Sequence, residues 1–385
     1  MATVRKRQWA DTQGKAKTAW FVDYYDRQGK RRRETFATKR AADSRRLEIE
    51  NELKAGTHVA DADSITVGEA ARQWLQRGQL LELERGSLRL YDQLVRVGIE
   101  PGLGKTKLSR LTRPMVENWR DGLLEQFSLN RARRILSALR SIIADAQRHG
   151  LVGQNSADQV RIETRTRLRE KLVAGRTVPS VDEIRELLAA TWEQRGRLAW
   201  LHPMVLVAAY TGLRQAELRG LAWRDVDLAR GRIVVRSRAD QWGTLGPPKS
   251  AAGQRHVPLA PDVIAVLREW KFACGNPEMV FSGPRRDSQQ GISPSGVVRA
   301  FSALQQRLGI VAGDGKAKYV FHSLRHFYAS VMISRGVNIK WLQATLGHEK
   351  ITLTLDLYGH LLHGAEDADA YMLELQQTIA GSRKI

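Results

Sequence analysis

A single cysteine, Cys274, stands among 385 residues, which excludes an intrachain disulfide and any cysteine-rich zinc module. Long apolar runs are missing too. The longest, Met204 to Tyr210, is far too short to cross a bilayer. Residues 1–15 are charged and lack the apolar stretch of a signal peptide. Acidic side chains are scarce against basic ones, 41 to 62, for a formal net charge of +21. Hydrophobic residues at 42% and charged residues at 27% are ordinary amounts. They argue against wholesale disorder, and a length of 385 residues predicts two or three domains, each with its own core. The sequence therefore predicts a cytoplasmic globular protein with no membrane segment. Its basic excess favours a polyanionic partner, nucleic acid before membrane surface.

The charge is spread rather than held in one arm. Basic and acidic residues number 15 and 8 in 1–58, 15 and 10 in 65–160, 6 and 2 in 161–180, and 26 and 19 in 181–385. Several surfaces touching one polyanion fit that pattern. Residues 1–58 predict a small β-plus-helix module, with strands over Val4 to Trp9, Thr18 to Tyr25 and Arg31 to Phe36. Asp11-Thr12-Gln13-Gly14 and Asp26-Arg27-Gln28-Gly29 are turn signals, and Thr38 caps a helix to about Ala55 with Gly56 as its stop. Lys30-Arg31-Arg32-Arg33 reads equally as a solvated hairpin edge or as a β-ribbon in a DNA groove, with Arg31, Arg32 and Arg33 on phosphates.

Residues 65–152 predict an all-helical domain. Val67 to Leu75 is amphipathic, and Asn130 to Arg148 carries a core stripe of Ile135, Leu136, Leu139, Ile142 and Ile143. Arg131, Arg133 and Arg134 sit at that helix's start, where the dipole disfavours cations. An external anion accounts for them, and so does plain solvation. Gly98 to Thr106 has the look of a phosphate-binding loop. Its first glycine is one residue too far from Gly104-Lys105-Thr106, and no buried strand precedes it, so an interhelical turn is expected. Residues 153–176, with Arg161, Arg165, Arg167, Arg169 and Lys171, read as a basic interdomain linker. Ser180 and Glu183 stand at capping-box spacing and open a last domain over 177–385.

That domain holds four chemically interesting islands. Arg214 and Glu217 are three apart and share a helix face, as an ordinary surface pair also would. Lys249 lies in Pro248-Lys249-Ser250, a β-hairpin loop between Arg232–Arg236 and His256–Leu259, where a lysine is usually just solvated. His322-Ser323-Leu324-Arg325-His326 opens a helix to Arg335, stopped by Gly336, with His322 and Arg325 on one face. His322 and His326 have metal-ligand spacing, but Ser323 replaces the acid of a zincin, so no metal site is expected. Leu346-Gly347-His348 precedes Tyr358-Gly359-His360. Each has a structural explanation when taken singly. Together they supply what phosphoryl transfer needs: a cationic clamp, a proton donor and a nucleophile.

At these islands the sequence resembles the tyrosine recombinase (phage integrase) family. Thr211-Gly212-Leu213-Arg214 with Glu217 resembles the first box. His322 to His326, with Leu346-Gly347-His348 through Tyr358-Gly359-His360, resembles the second. Pro248-Lys249-Ser250 up to Arg255-His256-Val257-Pro258-Leu259 resembles the lysine hairpin. The resemblance is tight over about 175–365, looser over 65–152 and weakest over 1–58. It implies a lambda-type integrase of multidomain α+β fold. A small β-sheet-plus-helix arm-site module (1–58), a helical core-site-binding domain (65–152) and a mainly helical catalytic domain with a small β-sheet (177–385) would make it up. By the resemblance, Tyr358 attacks the scissile phosphate to give a 3′-phosphotyrosine, and Arg214 and Arg325 hold the phosphate oxygens. Lys249 protonates the leaving 5′ oxygen, His322 handles the nucleophile's proton, His348 hydrogen-bonds the phosphate and Glu217 supports Arg214. The division of acid and base work among Lys249, His322 and His348 stays open.

The partners implied are double-stranded DNA attachment sites and three further copies of the chain in a homotetramer on DNA, with room for accessory directionality or DNA-bending proteins. No cofactor, metal or ATP is implied. The tail, Ala370 to Ala380, has helical apolar spacing suited to docking on its own domain or a neighbour. A type IB topoisomerase-like relaxing enzyme and a non-catalytic DNA-binding regulator are the alternatives.

Overall fold

The computed structural model describes residues 2–10, 16–26, 28–163, 178–194, 196–275, 278–282 and 291–358. The side chains of 10, 16, 17, 353 and 356–358 lie outside that description. The turn at 11–14, Arg27, the linker basic residues Arg165, Arg167, Arg169 and Lys171, Gly359-His360 and the tail 370–380 also fall outside it. The chain divides into two compact units, Met1–Thr164 and Arg165–Ile385.

The first unit begins with an antiparallel sheet in the order β1 (Thr3–Ala10), β2 (Ala16–Tyr25), β3 (Arg31–Phe36). Helix α1 (Lys39–Ala55) lies on one face. The Thr38 side chain accepts from the Ala41 N–H, and Gly56 at φ 70° ends the helix, so both sequence signals act as expected. Val22, Tyr24 and Ile49 form the small core, with Trp20 and Phe36 packed on it. A short acidic stretch then joins the module to the helices. Asp61 bonds Ser109 and Arg110, while Asp63 pairs with Arg32.

Helices α2 (Val67–Leu80), α3 (Arg85–Leu94), α5 (Arg113–Gln126) and α6 (Leu129–Arg148) enclose the expected α6 stripe, with Ile135, Leu136, Leu139, Ile142 and Ile143 at its centre. Of Gly98 to Thr106, only Gly104 to Thr106 forms the turn its glycines predict. The chain continues from α3 through a π-helical turn (Val95–Ile99) into α4 (Glu100–Leu103). The glycines serve close packing. A Cβ on Gly98 would meet Ile135 Cγ2 at 2.6 Å, and one on Gly102 would meet Trp119 Cδ1 at 2.5 Å.

Residues 153–163, basic and polar enough to predict the start of a linker, instead fold back on these helices. Ala157 and Val160 are buried in the core. Arg140 donates to Ala157 O and Val160 O, and Arg120 to Arg161 O. The arginines here satisfy main-chain carbonyls, a use that composition cannot reveal.

The second unit is built on α8 (Leu201–Thr211), the helix of the longest apolar run, buried along almost its whole length. Around it pack α7 (Val181–Trp192), α10 (Pro261–Ala273), α11 (Pro294–Arg307) and α12 (Ser323–Ser334), with the short α9 (Gln215–Arg219) following it in the chain. The Ser180–Glu183 capping box at the start of α7 is present in both directions. A small antiparallel sheet, β4 (Val226–Asp227), β5 (Arg232–Val235) and β8 (Arg255–Pro258), turns Ile233, Val235 and Val257 inward. Between β5 and β8 the chain makes a second ladder, β6 (Arg238–Ala239) with β7 (Leu245–Gly246), before the lysine loop. Helices α13 (Ile339–Leu346) and α14 (Ile351–Tyr358) complete the described part.

Candidate active site

Helix α8 ends at Gly212, which is left-handed at φ 62°; a Cβ there would also strike Tyr328 at 2.6 Å and Leu346 at 2.9 Å. This tight exit sets Arg214 at the head of α9. Glu217 Oε2 accepts from the Arg214 backbone N–H at 2.9 Å, and Oε1 pairs with Arg214 Nη1 at 2.9 Å. The pair is no ordinary surface bridge, since Glu217 is only 4% exposed. Its second partner is Arg255 of β8, with Nη2–Oε2 at 2.8 Å and Nη1–Oε1 at 3.1 Å. Burial pushes the Glu217 pKa up. The Arg255 hydrogen bond and the charges of Arg255 and Arg214 outweigh it and hold the carboxyl below its usual range.

Arg325, on α12 and 2% exposed, is fixed by three acceptors. Nη1 donates to Gly212 O at 2.7 Å, and Nη2 donates to Leu346 O at 2.8 Å and to His348 Nε2 at 2.7 Å. Arg214 Nη2 reaches the neighbouring carbonyl, Gly347 O, at 3.2 Å. The two arginines therefore converge on the ends of α8 and α13. Gly347 lets the lysine hairpin approach the same point: it sits at φ 66°, and a Cβ would lie 2.8 Å from Arg255 Nη1 and 3.0 Å from Ala252 O.

His348 is buried, with Nδ1 2.8 Å from Thr354 Oγ1. A guanidinium can only donate, so Nε2 is the acceptor and Nδ1 carries the proton toward Thr354. Burial, then the charges of Arg325, Arg214 and Arg255, push its pKa down to about 3. His322 opens α12 with its ring edge-on to His326 at 5.0 Å. Desolvation of the ring, then the charges of His326, Arg325 and Arg214, push its pKa down to about 4. Both imidazoles are neutral at pH 7. Lys249 is exposed, two residues before the 3-10 turn Ala251–Gly253 whose Ala252 carbonyl borders Gly347. Tyr358 is the last residue of α14, one helical turn beyond Thr354, and its side chain lies outside the described residues. Among the described residues, no group of three or more His, Cys, Asp or Glu is placed to hold a metal ion.

The phage integrase family model matches residues 179–364, a stretch that holds Arg214, Lys249, His322, Arg325, His348 and Tyr358 in order. The second unit thus carries a phage integrase domain. A tyrosine recombinase XerC-like protein of Caldanaerobacter subterraneus subsp. tengcongensis is 25% identical over 364 residues, covering 88% of this chain and 90% of that protein. The integrase of Mycobacterium phage D29 is 27% identical, covering 75% and 73%. Among solved structures, the Tn1549 transposon integrase in complex with a circular intermediate DNA aligns with TM-score 0.66 and 17% identity, over 81% of this chain and 100% of that one. A lambda integrase tetramer bound to a Holliday junction aligns at 0.59 and 20%, over 90% and 96%. Identities this low speak for the fold. The activity of this tyrosine recombinase is site-specific cleavage and rejoining of DNA.

The recombinase's expected DNA-facing arginines separate by strand register. Arg31 and Arg33 lie opposite Tyr25 and Asp23 on the sheet face away from α1, where Arg33 bonds Asp23 and its guanidinium lies 5.3 Å from the centre of the Phe21 ring. Alternation turns Arg32 the other way. Its side chain is 10% exposed and paired with Asp26 at 2.8 Å and with Asp63, so it is an internal tie. Arg5 and Arg7 of β1 join the outer face opposite Phe21 and Ala19. Sequence reading missed them, although the alternation of Val4-Arg5-Lys6-Arg7 carries the signal. Of the α6 arginines, Arg134 is exposed, Arg131 stacks on Phe127 at 4.9 Å, and Arg133 donates to Ile162 O at 3.4 Å. Arg255 and Thr354 were also missed as site residues. Their roles depend on partners 38 residues away in the first case and six in the second.

Proposed function

We propose that this recombinase integrates or excises a mobile element through a 3′-phosphotyrosine at Tyr358, working as a tetramer on duplex DNA attachment sites. The observation that carries the reading is the pair of guanidiniums, Arg214 and Arg325, held on adjacent carbonyls around Gly212 and Gly347. Both are fixed before any phosphate arrives, so little reorganisation accompanies the transition state. Tyr358 Oη attacks phosphorus as the bond to the 5′ oxygen breaks. Lys249 gives that oxygen a proton, and neutral His322 takes the tyrosine's. His348 Nε2 accepts from Arg325 and so has no proton there to give a phosphate oxygen; its part in this reading is to orient that guanidinium rather than to hydrogen-bond the phosphate itself. The phosphodiester energy stays in the covalent link, and a second 5′-hydroxyl reverses the step.

Tetramer formation rests on likeness to the lambda integrase tetramer on a Holliday junction, and a mobile element on the Tn1549 integrase with its circular intermediate. Action on attachment sites in the cytoplasm, with directionality or DNA-bending proteins to set the outcome, completes the reading. Two duplexes carrying the core sequence that the protein enriches from a randomised pool should exchange strands without ATP in the presence of EDTA. Relaxation of supercoiled DNA without exchange would favour the topoisomerase-like alternative.

The sheet is the accessory DNA surface in this reading. Replacing Arg5, Arg7, Arg31 and Arg33 by alanine should flatten the fall of log affinity with log salt by about 0.9 per lost phosphate contact, read in a titration series. Arg32→Ala should leave that slope unchanged and lower thermal stability, because its partners are Asp26 and Asp63. A slope lost equally with Arg32→Ala would contradict the assignment of faces.

A further inference from the structure

Arg219 closes α9 two residues after Glu217, and it is 3% exposed. Its guanidinium donates to three main-chain carbonyls: from Nε to Ile292 O, from Nη1 to Ala239 O at 3.2 Å, and from Nη2 to Asp240 O at 2.8 Å. Burial pushes its pKa down. Burying a cation is expensive, and an apolar side chain of similar volume is commonly no less stable at such a place. What the arginine provides instead is a fixed geometry. Ala239 ends β6, Asp240 is the first residue of the turn that joins β6 to β7, and β7 leads directly into the lysine loop. Ser237 Oγ strengthens the same junction by donating to Gly220 O at 2.7 Å, and a Cβ on Gly220 would come within 2.7 Å of Ala239 N.

The other end of the excursion is tied to the same short helix, through Glu217 and Arg255. Helix α9 thus grips the hairpin at both ends, and Lys249 lies between the two grips. Asp240 stiffens the span further: its backbone N–H donates to Thr244 O at 2.9 Å, and its Oδ1 accepts from the Trp242 and Thr244 N–H groups. Arg214 heads this same helix, so one five-residue element sets the spacing between the clamp and the lysine loop.

We infer that Arg219 is a positioning residue for Lys249, holding the hairpin so that the ammonium meets the departing 5′ oxygen. The inference rests on the proposed reading of Lys249 as proton donor. In that step the Tyr358 Oη–P bond forms, the P–O5′ bond breaks, and one proton passes from the Lys249 ammonium to the 5′ oxygen, leaving a neutral amine. A displacement of about 1 Å is enough to lower such a step by about 10²-fold.

The test uses a nicked duplex carrying the enriched core sequence, made with either oxygen or sulfur as the 5′ bridging atom at the scissile link. A thiolate leaves without a proton, so the sulfur substrate bypasses the lysine. Arg219→Met should cleave the oxygen substrate about 10²-fold more slowly than wild type and the sulfur substrate at close to the wild-type rate. Lys249→Ala should show the same split. Ser237→Ala, which leaves the buried guanidinium in place, should show a smaller loss with the same dependence on the leaving atom, and it serves if Arg219→Met fails to fold by circular dichroism. A loss equal on both substrates, or no loss, overturns the role of Arg219. If Lys249→Ala itself is not rescued by sulfur, the lysine is not the donor and both readings fall. If Lys249→Ala is rescued and the Arg219 and Ser237 variants are not, only the positioning role falls.

Discussion

Arg325→Lys should slow DNA cleavage by at least about 10²–10³-fold, the usual effect of losing one positioned donor to developing charge. Lysine keeps the charge but not the planar fork. Three acceptors around Arg325, Gly212 O, Leu346 O and His348 Nε2, are arranged for a guanidinium, and an ammonium on a different stem cannot reproduce that set. Arg325→Ala should be worse in a second way. It leaves those buried acceptors unpaired, at about 1–3 kcal/mol each, so its thermal midpoint should drop as well as its rate. Single-turnover cleavage together with a melting curve separates the two effects. Arg325→Lys with a rate near wild type would mean that the fork geometry is irrelevant to the chemistry.

Glu217→Ala should be among the most destabilising single changes in the second unit, by about 3–5 kcal/mol. It strands Arg255 in the interior with its charge unpaired and frees Arg214 from its anchor. Folding lowers the Glu217 pKa, so its contribution is fully present above the ordinary value of 4.5 and is lost as pH falls through the folded value. Denaturant titration at pH 7 reads the loss. A combined Glu217→Leu, Arg255→Met variant should recover much of the stability, because no buried charge is left unpaired. It should not recover cleavage, because Arg214 no longer has the carboxylate that orients it. Recovery of both would reduce Glu217 to a packing residue.

The elements with strong local signals were legible from sequence. Thr38 and Gly56 bound α1, Ser180 with Glu183 opens α7, and the α6 stripe is the helical core. The Arg214–Glu217 pairing was legible too, because three residues of helix suffice to bring the two together. Three features were not, each for a tertiary reason. Gly98 and Gly102 look like turn residues until Ile135 and Trp119 are packed against them. Arg32 sits in a basic run, and only the register of β3 against β2 turns it inward. Arg255 was visible within the hairpin motif, but nothing local marks it as the buried counter-ion of a residue 38 positions earlier. The motifs named the candidate residues, and the fold supplied what holds Arg214, Arg325 and His348 in place.

Covalent capture on the nicked core duplex reads whether this chain joins itself to DNA through Tyr358. Wild-type protein should give an adduct that survives denaturation, and digestion should leave the DNA on the peptide containing Tyr358. Tyr358→Phe should bind the same duplex and give no adduct. An adduct on any other residue, or one that persists in Tyr358→Phe, would rule Tyr358 out as the nucleophile.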